Sequence, residues 1–389
     1  MTTPPVRAAQ LPIRRIAERV TDLAGVQPLQ ILPLLLPVWA VDISAIIREA
    51  QPYEVFDRYL SRAIAEAGLN NARSLAGFFG VRPALIERAL RFLATIGHLH
   101  RDGDTLRLTE LGHRSVREDC RYVEKEDRQR LYLDGITGSP LPRTHYSGTV
   151  WLEEPQLTLA DGTSFHQLAT LTPFRVDTVA HLLHRPDREE FNLPAGLITA
   201  TPHEVRQAWL PAYVVECVSS LLIFVKAIDG ADGYLSRVVG PFLRDVVTAE
   251  GRADAEKVWR EWLDGAGFPD VRPRQLANGV LRASLPASVF PRRYKWHRLG
   301  SFEVRRRVFL QLWCEDEEIR RQAVLKRAAA MARAGAARDL DELTTRVAAL
   351  ARQLEVAAPS VAELRPYVED AGVAAAAAGG VDVGQVAGG

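Results

Sequence analysis

The chain has 389 residues, a length that predicts two or three domains. Hydrophobic residues make up 47% of the chain and charged residues 25%, which is typical of a soluble globular protein. The net charge of +1 excludes a protein that is drawn to nucleic acid or membrane by its overall field, so any such contact requires a local patch.

The cysteines and the apolar runs indicate a reducing compartment and no membrane insertion. Cys120, Cys217 and Cys314 lie about a hundred residues apart, have no metal-ligand spacing and cannot all pair within one chain. The first residues lack the apolar core of a secretory signal. The longest apolar runs, 31–41 and 218–228, are shorter than the roughly 20 residues needed to span a bilayer. We therefore expect a cytoplasmic protein without a membrane partner.

Residues 1–53 are predicted to form an N-terminal helical arm. Apolar residues recur at three- and four-residue spacing from Ile13 to Leu23, which predicts one amphipathic helix. After a break marked by prolines, Asp42 is placed to cap a second helix that ends at Ala50.

The next segment, residues 54–120, is predicted to contain three helices followed by a short hairpin. The second helical pattern is short and ends at Gly80. Two short apolar strands are then predicted on either side of Asp102 and Gly103, a pair that favours a tight turn. Thr109 is placed to cap a further helix that has Gly112 in its first turn.

This order of elements, over residues 54–116, resembles a winged helix-turn-helix domain. In that family the third helix enters the major groove and the hairpin touches the DNA backbone or the minor groove. The resemblance implies contacts to nucleic acid or a partner by Arg88, Arg91, Arg101 and Arg107. Acidic residues interleave with these cations, with seven arginines against six acids between Arg82 and Asp119. A protein-interaction or dimerisation module, including a homodimer, therefore remains open as the alternative.

Residues 121–313 are predicted to form a mixed α/β domain. The stretch 201–209 is predicted to be a helix with Thr201 as its cap and Glu204 at the capping-box position. The apolar stretch 212–230 fits one buried helix or two buried strands, and 254–267 is predicted to be a helix. Alternation in 301–313 predicts a strand that presents one apolar face. That face would consist of Phe302, Val304, Val308, Leu310 and Leu312.

One basic cluster stands out, in residues 291–309. Its seven cations face a single acid, Glu303, and Tyr294, Trp296 and Phe302 are interleaved with them. Cations with stacking aromatics are typical of a nucleic-acid groove. The residues predicted to bind nucleic acid or a partner are Arg292, Arg293, Lys295 and Arg298. A solvated strand face, a phosphorylated ligand and an acidic protein partner are the alternatives.

Residues 314–370 are charged and alanine-rich, which predicts a helical segment. Leucine and valine step by three and four from Leu340 to Leu354, which fits either one helix docked on the body or a short coiled coil. Residues 371–389 are a low-complexity Ala/Gly tract that is predicted to be disordered.

A second resemblance implies an enzyme. The segment that ends in Leu-Arg-Leu-Thr-Glu-Leu-Gly is similar to the N-terminal dimerisation domain of small-molecule O-methyltransferases. Those enzymes bind S-adenosylmethionine at a strand followed by a Gly-rich turn and a helix, an outline that 221–239 shares. The cofactor-binding residues that this implies are Asp229, Gly230 and Gly233. The Gly-x-Gly-x-Gly spacing of that family is not met.

Other motifs give no catalytic or metal site. His181 and His184 lie one helical turn apart, but no third metal ligand is apparent. The chain has neither a phosphate loop ending in Lys-Ser/Thr nor a Gly-x-Ser-x-Gly elbow.

Together these observations predict an α+β protein that is mainly helical. It would have an N-terminal winged helix, a mixed α/β middle domain and a helical C-terminal segment with a disordered tail. The leading hypothesis is a non-catalytic regulatory or adaptor protein that engages DNA or a protein partner and uses no cofactor. The alternative is an S-adenosylmethionine-dependent methyltransferase-like enzyme, active or degenerate.

Overall fold

The computed structural model describes residues 10–370 except 24, 251–253, 336 and 338. The tail predicted to be disordered, 371–389, lies outside the described residues. Within the described part, no helix is long and apolar enough to cross a membrane. The chain divides into two compact units, each discontinuous in sequence. Unit 1 comprises 1–36, 148–169 and 209–389, and unit 2 comprises 37–147 and 170–208.

The helices of the described chain are distributed along its whole length. They are α1 (Ile13–Asp22), α2 (Val55–Glu66), α3 (Ala72–Phe79), α4 (Pro83–Thr95), α5 (Glu110–Arg117), α6 (Asp177–Leu183), α7 (Gly233–Val238), α8 (Gly240–Glu250), α9 (Ala255–Gly265), α10 (Glu317–Arg333), α11 (Leu340–Gln353) and α12 (Val361–Asp370).

The strands include two of unusual length. They are β1 (Pro28–Gln51), β2 (Leu99–Asp102), β3 (Thr105–Leu108), β4 (Arg121–Asp134), β5 (His166–Gln167), β6 (Leu197–Cys217), β7 (Leu221–Val225), β8 (Arg274–Gln275), β9 (Leu281–Ser284), β10 (Phe302–Arg305) and β11 (Val308–Trp313).

A mixed sheet dominates the described chain. Nine strands form it, in the order β7-β6-β1-β11-β9-β8, with β4 and β5 also paired to β1 and β10 paired to β11. The β1–β5 and β9–β11 pairs are parallel, whereas the β1–β4, β6–β7 and β10–β11 pairs are antiparallel. The predicted fold class, mainly helical with an N-terminal winged helix, is therefore wrong.

Strand β1 is the largest departure from the predicted N-terminal arm. Helix α1 is confirmed, but the helix predicted from Asp42 to Ala50 is part of a 24-residue strand. The first eleven residues of that strand are all buried, so its two faces do not alternate in polarity. Pro33 and Pro37 lie inside the strand, although proline cannot donate a ladder hydrogen bond.

Two predictions for the middle of the chain are settled by strand β6. The helix predicted for 201–209, capped by Thr201, is wrong because this stretch belongs to β6. The apolar stretch 212–230 forms two strands, since the end of β6 pairs with β7 from Ala212↔Val225 to Glu216↔Leu221. The helix predicted for 254–267 is confirmed as α9.

The helices and hairpin predicted for 54–116 are present in the predicted order. They form a helical module, residues 55–117 of unit 2, inserted between β1 and β4 rather than at the N-terminus. Gly103 adopts a φ of 58° in the β2–β3 turn. Thr109 caps α5, because its hydroxyl accepts a hydrogen bond from the Gly112 amide at 3.1 Å. The module has its own core of leucine and isoleucine side chains from α2, α3, α4 and the hairpin.

Unit 1 has two apolar clusters, and the β10–β11 hairpin contributes to both. Phe302 and Val304 pack with Phe309 in the cluster that includes α1, whereas Val308 and Leu310 pack against α9, α10 and α11. The prediction of one apolar face running through the five alternating residues of 301–313 is wrong, because a two-residue turn separates the two strands.

The leucine and valine repeat from Leu340 to Leu354 packs in the cluster that includes α9 and α10. Leu343, Val347, Leu350 and Leu354 are buried against the body of unit 1, and Leu340 packs at its edge. The interpretation as one docked helix, α11, is therefore confirmed.

Candidate anion-binding cavity

A cavity of about 1980 Å³ opens in unit 1 at the basic cluster. Its walls are the polar face of α1, the outer face of α9, the β10–β11 hairpin, segment 293–298, and the facing sides of α10 and α11. The cavity therefore collects side chains from segments that lie more than 300 residues apart in sequence.

The lining is strongly cationic. Among the described residues, it includes eight Arg or Lys side chains: Arg14, Arg293, Lys295, Arg298, Arg305, Arg306, Arg327 and Arg346. The acids in the lining are Glu18, Glu261 and Glu303. This surplus of positive charge in a concave surface is the condition under which a cleft attracts an anionic ligand.

Several of these cations have no acidic partner. Arg298 pairs with Glu303, and Arg346 pairs with Glu342 at 2.7 Å. In the described part of the chain, no carboxylate pairs with Arg14, Lys295, Arg305 or Arg306, and these four residues are exposed. Their charges are therefore available to a ligand.

Two of the unpaired cations, Arg305 and Arg306, lie at the end of the β10–β11 hairpin. Arg305 opposes Val308 in the register, so Arg306 and Arg307 form a two-residue turn. Both turn residues have positive φ, 42° for Arg306 and 78° for Arg307. Turns of this kind favour Asn-Gly, because positive φ strains a bulkier residue. Arginine at both positions is thus locally unfavourable.

Segment 292–298 is anchored by aromatic contacts. The Arg293 guanidinium lies over the Phe268 ring at 4.7 Å and donates to the Ala266 carbonyl. Tyr294 stacks on Phe268 with ring centroids 6.2 Å apart. These contacts fix the backbone from which Lys295 projects.

The pKa of His297 depends on the electrostatic potential at the cavity wall. Burial lowers the pKa of the imidazole below its ordinary value, and Arg298, Arg327 and Lys295 lower it further. Three cations that disfavour the imidazolium form indicate a positive potential at this wall.

Trp262 is a supported aromatic wall of the cavity. Its ring meets the fully buried Trp259 at right angles, with centroids 5.4 Å apart. The guanidinium carbon of Arg305 lies 5.3 Å from the Trp262 centroid. The indole therefore contacts both the buried core, through Trp259, and a cavity-lining cation, Arg305.

The structure brings together three of the four residues predicted in the basic cluster. Arg293, Lys295 and Arg298 line the cavity, whereas Arg292 is exposed outside its lining. Sequence reasoning missed the contributions of the helices. The missed residues are Arg14, Trp262, Arg327 and Arg346. Nothing in the local patterns of α1, α9, α10 or α11 marks these residues, since the sequence of a helix does not show which other elements face it in the fold.

The cations predicted in the helical module belong to unit 2. Arg88 and Arg91 are exposed on α4, and Arg107 is exposed on β3. Arg101 is engaged by Glu87, with an Nη1–Oε2 distance of 2.7 Å, and this pair lowers the pKa of Glu87. Arg101 is thereby partly neutralised.

The residues of the alternative cofactor site lie after β7. Gly230 has a φ of 93°, Asp232 caps α7 by accepting from the Leu235 amide, and Gly233 begins that helix. Asp229 pairs with Arg19 at 2.8 Å. The strand–turn–helix outline is present, but β7 pairs antiparallel with β6, whereas nucleotide-type cofactors bind at the ends of parallel strands.

Metal-ligating side chains do not cluster in the described residues. No group of three or more His, Cys, Asp or Glu is arranged there to hold a metal ion. The Nδ1 of His184 lies 2.7 Å from the Ala180 carbonyl oxygen of its own helical turn, so that nitrogen is engaged locally.

Comparison of the chain with known protein families, with curated proteins and with solved structures gave no match.

Proposed function

We propose that the protein is a regulatory or adaptor protein that binds nucleic acid by its phosphates in the unit 1 cavity. The observation that carries the proposal is the group of unpaired cations, Arg14, Lys295, Arg305 and Arg306, around one recess. Phosphate contacts by such cations release condensed counterions, which is the main source of affinity for a polyanion.

The cavity supports this proposal better than the enzyme alternative. It offers cations and aromatic rings from several elements at one place, whereas the residues after β7 stand at an antiparallel strand. The near-neutral total charge agrees with a local site, because attraction then comes from the cavity alone.

Removing two cavity cations should flatten the salt dependence of binding. For Arg14→Gln/Lys295→Gln, the slope of log K against log salt for an oligothymidine strand should shrink by about 1.4, because each lost phosphate contact contributes about 0.7. The same slope implies about fivefold weaker binding per contact at about 0.1 M salt, hence about 25-fold for the pair. Fluorescence anisotropy at several salt concentrations measures both quantities.

The matched control removes the same charge elsewhere in unit 1. Arg244 is an exposed residue on α8, and Arg292 is exposed beside the cavity, but neither is in its lining. Arg244→Gln/Arg292→Gln should keep nearly the full slope. Equal losses in the two double variants, or no binding of any oligonucleotide by the natural protein at low salt, would contradict the proposal.

Ligand binding should also change the pKa of His297. The negative charge of a bound phosphate chain stabilises the imidazolium, so the pKa should rise toward or above its ordinary value of 6.5. Binding then takes up a proton, and affinity should increase as pH falls from the bound-state pKa to the free-state pKa. NMR titration of the His297 ring proton, identified with His297→Gln, measures this. A pKa that stays constant or falls on binding would place the ligand elsewhere.

A further inference from the structure

Resting on the proposed function, we infer that the ligand of the cavity is single-stranded nucleic acid, with one base stacked on the Arg305 guanidinium. The Arg305 guanidinium carbon lies 5.3 Å from the Trp262 ring centroid, so a base that stacks on the guanidinium would lie close to an indole as well. Phosphate contacts alone would not distinguish a single strand from a duplex, since both carry phosphates.

The platform is rigid on its buried side. Trp259 is fully buried and meets Trp262 at an interplanar angle of 89°, so the Trp262 ring is held by an edge-to-face contact with the core. Arg305 ends β10, one residue before the turn, and its backbone is held by pairing with Val308. Arg305 is exposed and lines the cavity, so its guanidinium is accessible to a ligand there. Single-stranded bases stack on aromatic rings and on guanidinium planes alike.

The residue proposed to stack on a base and a cation available to a phosphate are neighbours in sequence. Arg306 follows Arg305 in the turn and also lines the cavity. Consecutive nucleotides of a single strand can therefore place a base on Arg305 and a phosphate near Arg306. A duplex offers only its phosphates, because its base faces are already stacked within the helix.

The turn geometry supports a ligand role for Arg306. Arg306 and Arg307 occupy positive φ where Asn-Gly would be unstrained. A strained residue in a recess is consistent with a side chain that is kept for binding.

The test compares ligands of equal length in a fluorescence anisotropy assay on the full chain. The ligands are an oligothymidine strand, an oligouridine strand, a duplex, an abasic strand and polyglutamate. The base-bearing strands should bind about tenfold more tightly than the abasic strand, since one stacked base contributes about that factor.

Arg305→Lys separates stacking from charge, because lysine keeps the positive charge but has no planar group. Arg305 is exposed, so the variant should fold normally. It should lose about tenfold in affinity for the base-bearing strands, keep its affinity for the abasic strand, and keep the salt slope. Phe242→Leu is the aromatic control, because Phe242 is exposed on α8 and outside the cavity lining; it should bind like the natural protein.

Three outcomes would overturn the inference. The first is that the duplex or the abasic strand binds as tightly as the base-bearing strands. The second is that Arg305→Lys weakens the binding of all ligands equally. In either case the phosphate-binding function would stand if Arg14→Gln/Lys295→Gln still flattens the salt slope. Polyglutamate binding as tightly as the strands would overturn both proposals and identify an acidic protein partner instead.

Discussion

Replacing Gly112 with alanine is expected to destabilise unit 2 by about 3 kcal/mol, the upper range for forcing an extra methyl group into a filled site. A Cβ at this position would lie 2.2 Å from the carbonyl oxygen of His98 and 3.1 Å from its carbonyl carbon. Both atoms belong to the backbone, so no rotamer change relieves the clash. The same His98 oxygen accepts a hydrogen bond from the Thr109 amide at 2.9 Å, which holds the start of α5 against it.

Gly77 provides the matched control within the same helical module. It lies in α3 with an ordinary helical φ, and a Cβ there would meet nothing within 4 Å. Gly77→Ala should therefore stabilise the protein by up to about 1 kcal/mol, the difference in helix propensity. Urea unfolding followed by circular dichroism should give midpoints on opposite sides of that of the natural protein. A Gly112→Ala midpoint equal to the natural one would show that α5 does not approach His98 this closely.

The helical module was predictable because its signals are local. Gly103 in the turn, Thr109 at the cap and the three-and-four spacing of apolar residues each act within a few residues of one another. Such features need no knowledge of the rest of the chain. The same locality explains why α1, α9 and α11 were also predicted correctly.

Strand β1 could not be predicted because tertiary contacts override its local pattern. Ile43, Ile46 and Ile47 repeat at helical spacing, yet this stretch pairs with β4 over the whole register from Val38↔Asp134 to Gln51↔Arg121. The earlier part of β1 is buried throughout, which removes the alternation that marks a strand. The N-terminal arm was therefore misassigned from residue 28 onward, and with it the fold class.

In the candidate site, the sequence could predict only those cations that are close neighbours in the chain. Arg293, Lys295 and Arg298 were found because they lie close to one another and to aromatic residues. Arg14 and Arg327 reach the same cavity from α1 and α10, and their convergence depends on the packing of unit 1. Arg292 is exposed outside the lining, because adjacency in sequence does not give side-chain direction.

Replacing Arg306-Arg307 with Asn-Gly is expected to stabilise the protein and weaken ligand binding at the same time. Residues held at unfavourable positive φ cost about 1–3 kcal/mol each, and Asn-Gly is the preferred pair for a two-residue hairpin turn. Part of that cost should be recovered, so we expect a gain of about 2 kcal/mol in the free energy of unfolding. Affinity for oligothymidine should fall about fivefold at about 0.1 M salt, because one phosphate contact is lost.

The single variants separate the two effects. Among the described residues that line the cavity, Arg306 is included and Arg307 is not. Both Arg306→Asn and Arg307→Gly should raise the urea midpoint, but only Arg306→Asn should weaken binding. The Arg307 carbonyl accepts a hydrogen bond from the Ile31 amide at 2.7 Å, a backbone contact that glycine retains. If neither variant is more stable than the natural protein, the turn is not strained. If both are more stable and both bind normally, the strain has no connection with the cavity, and Arg306 is not a ligand contact.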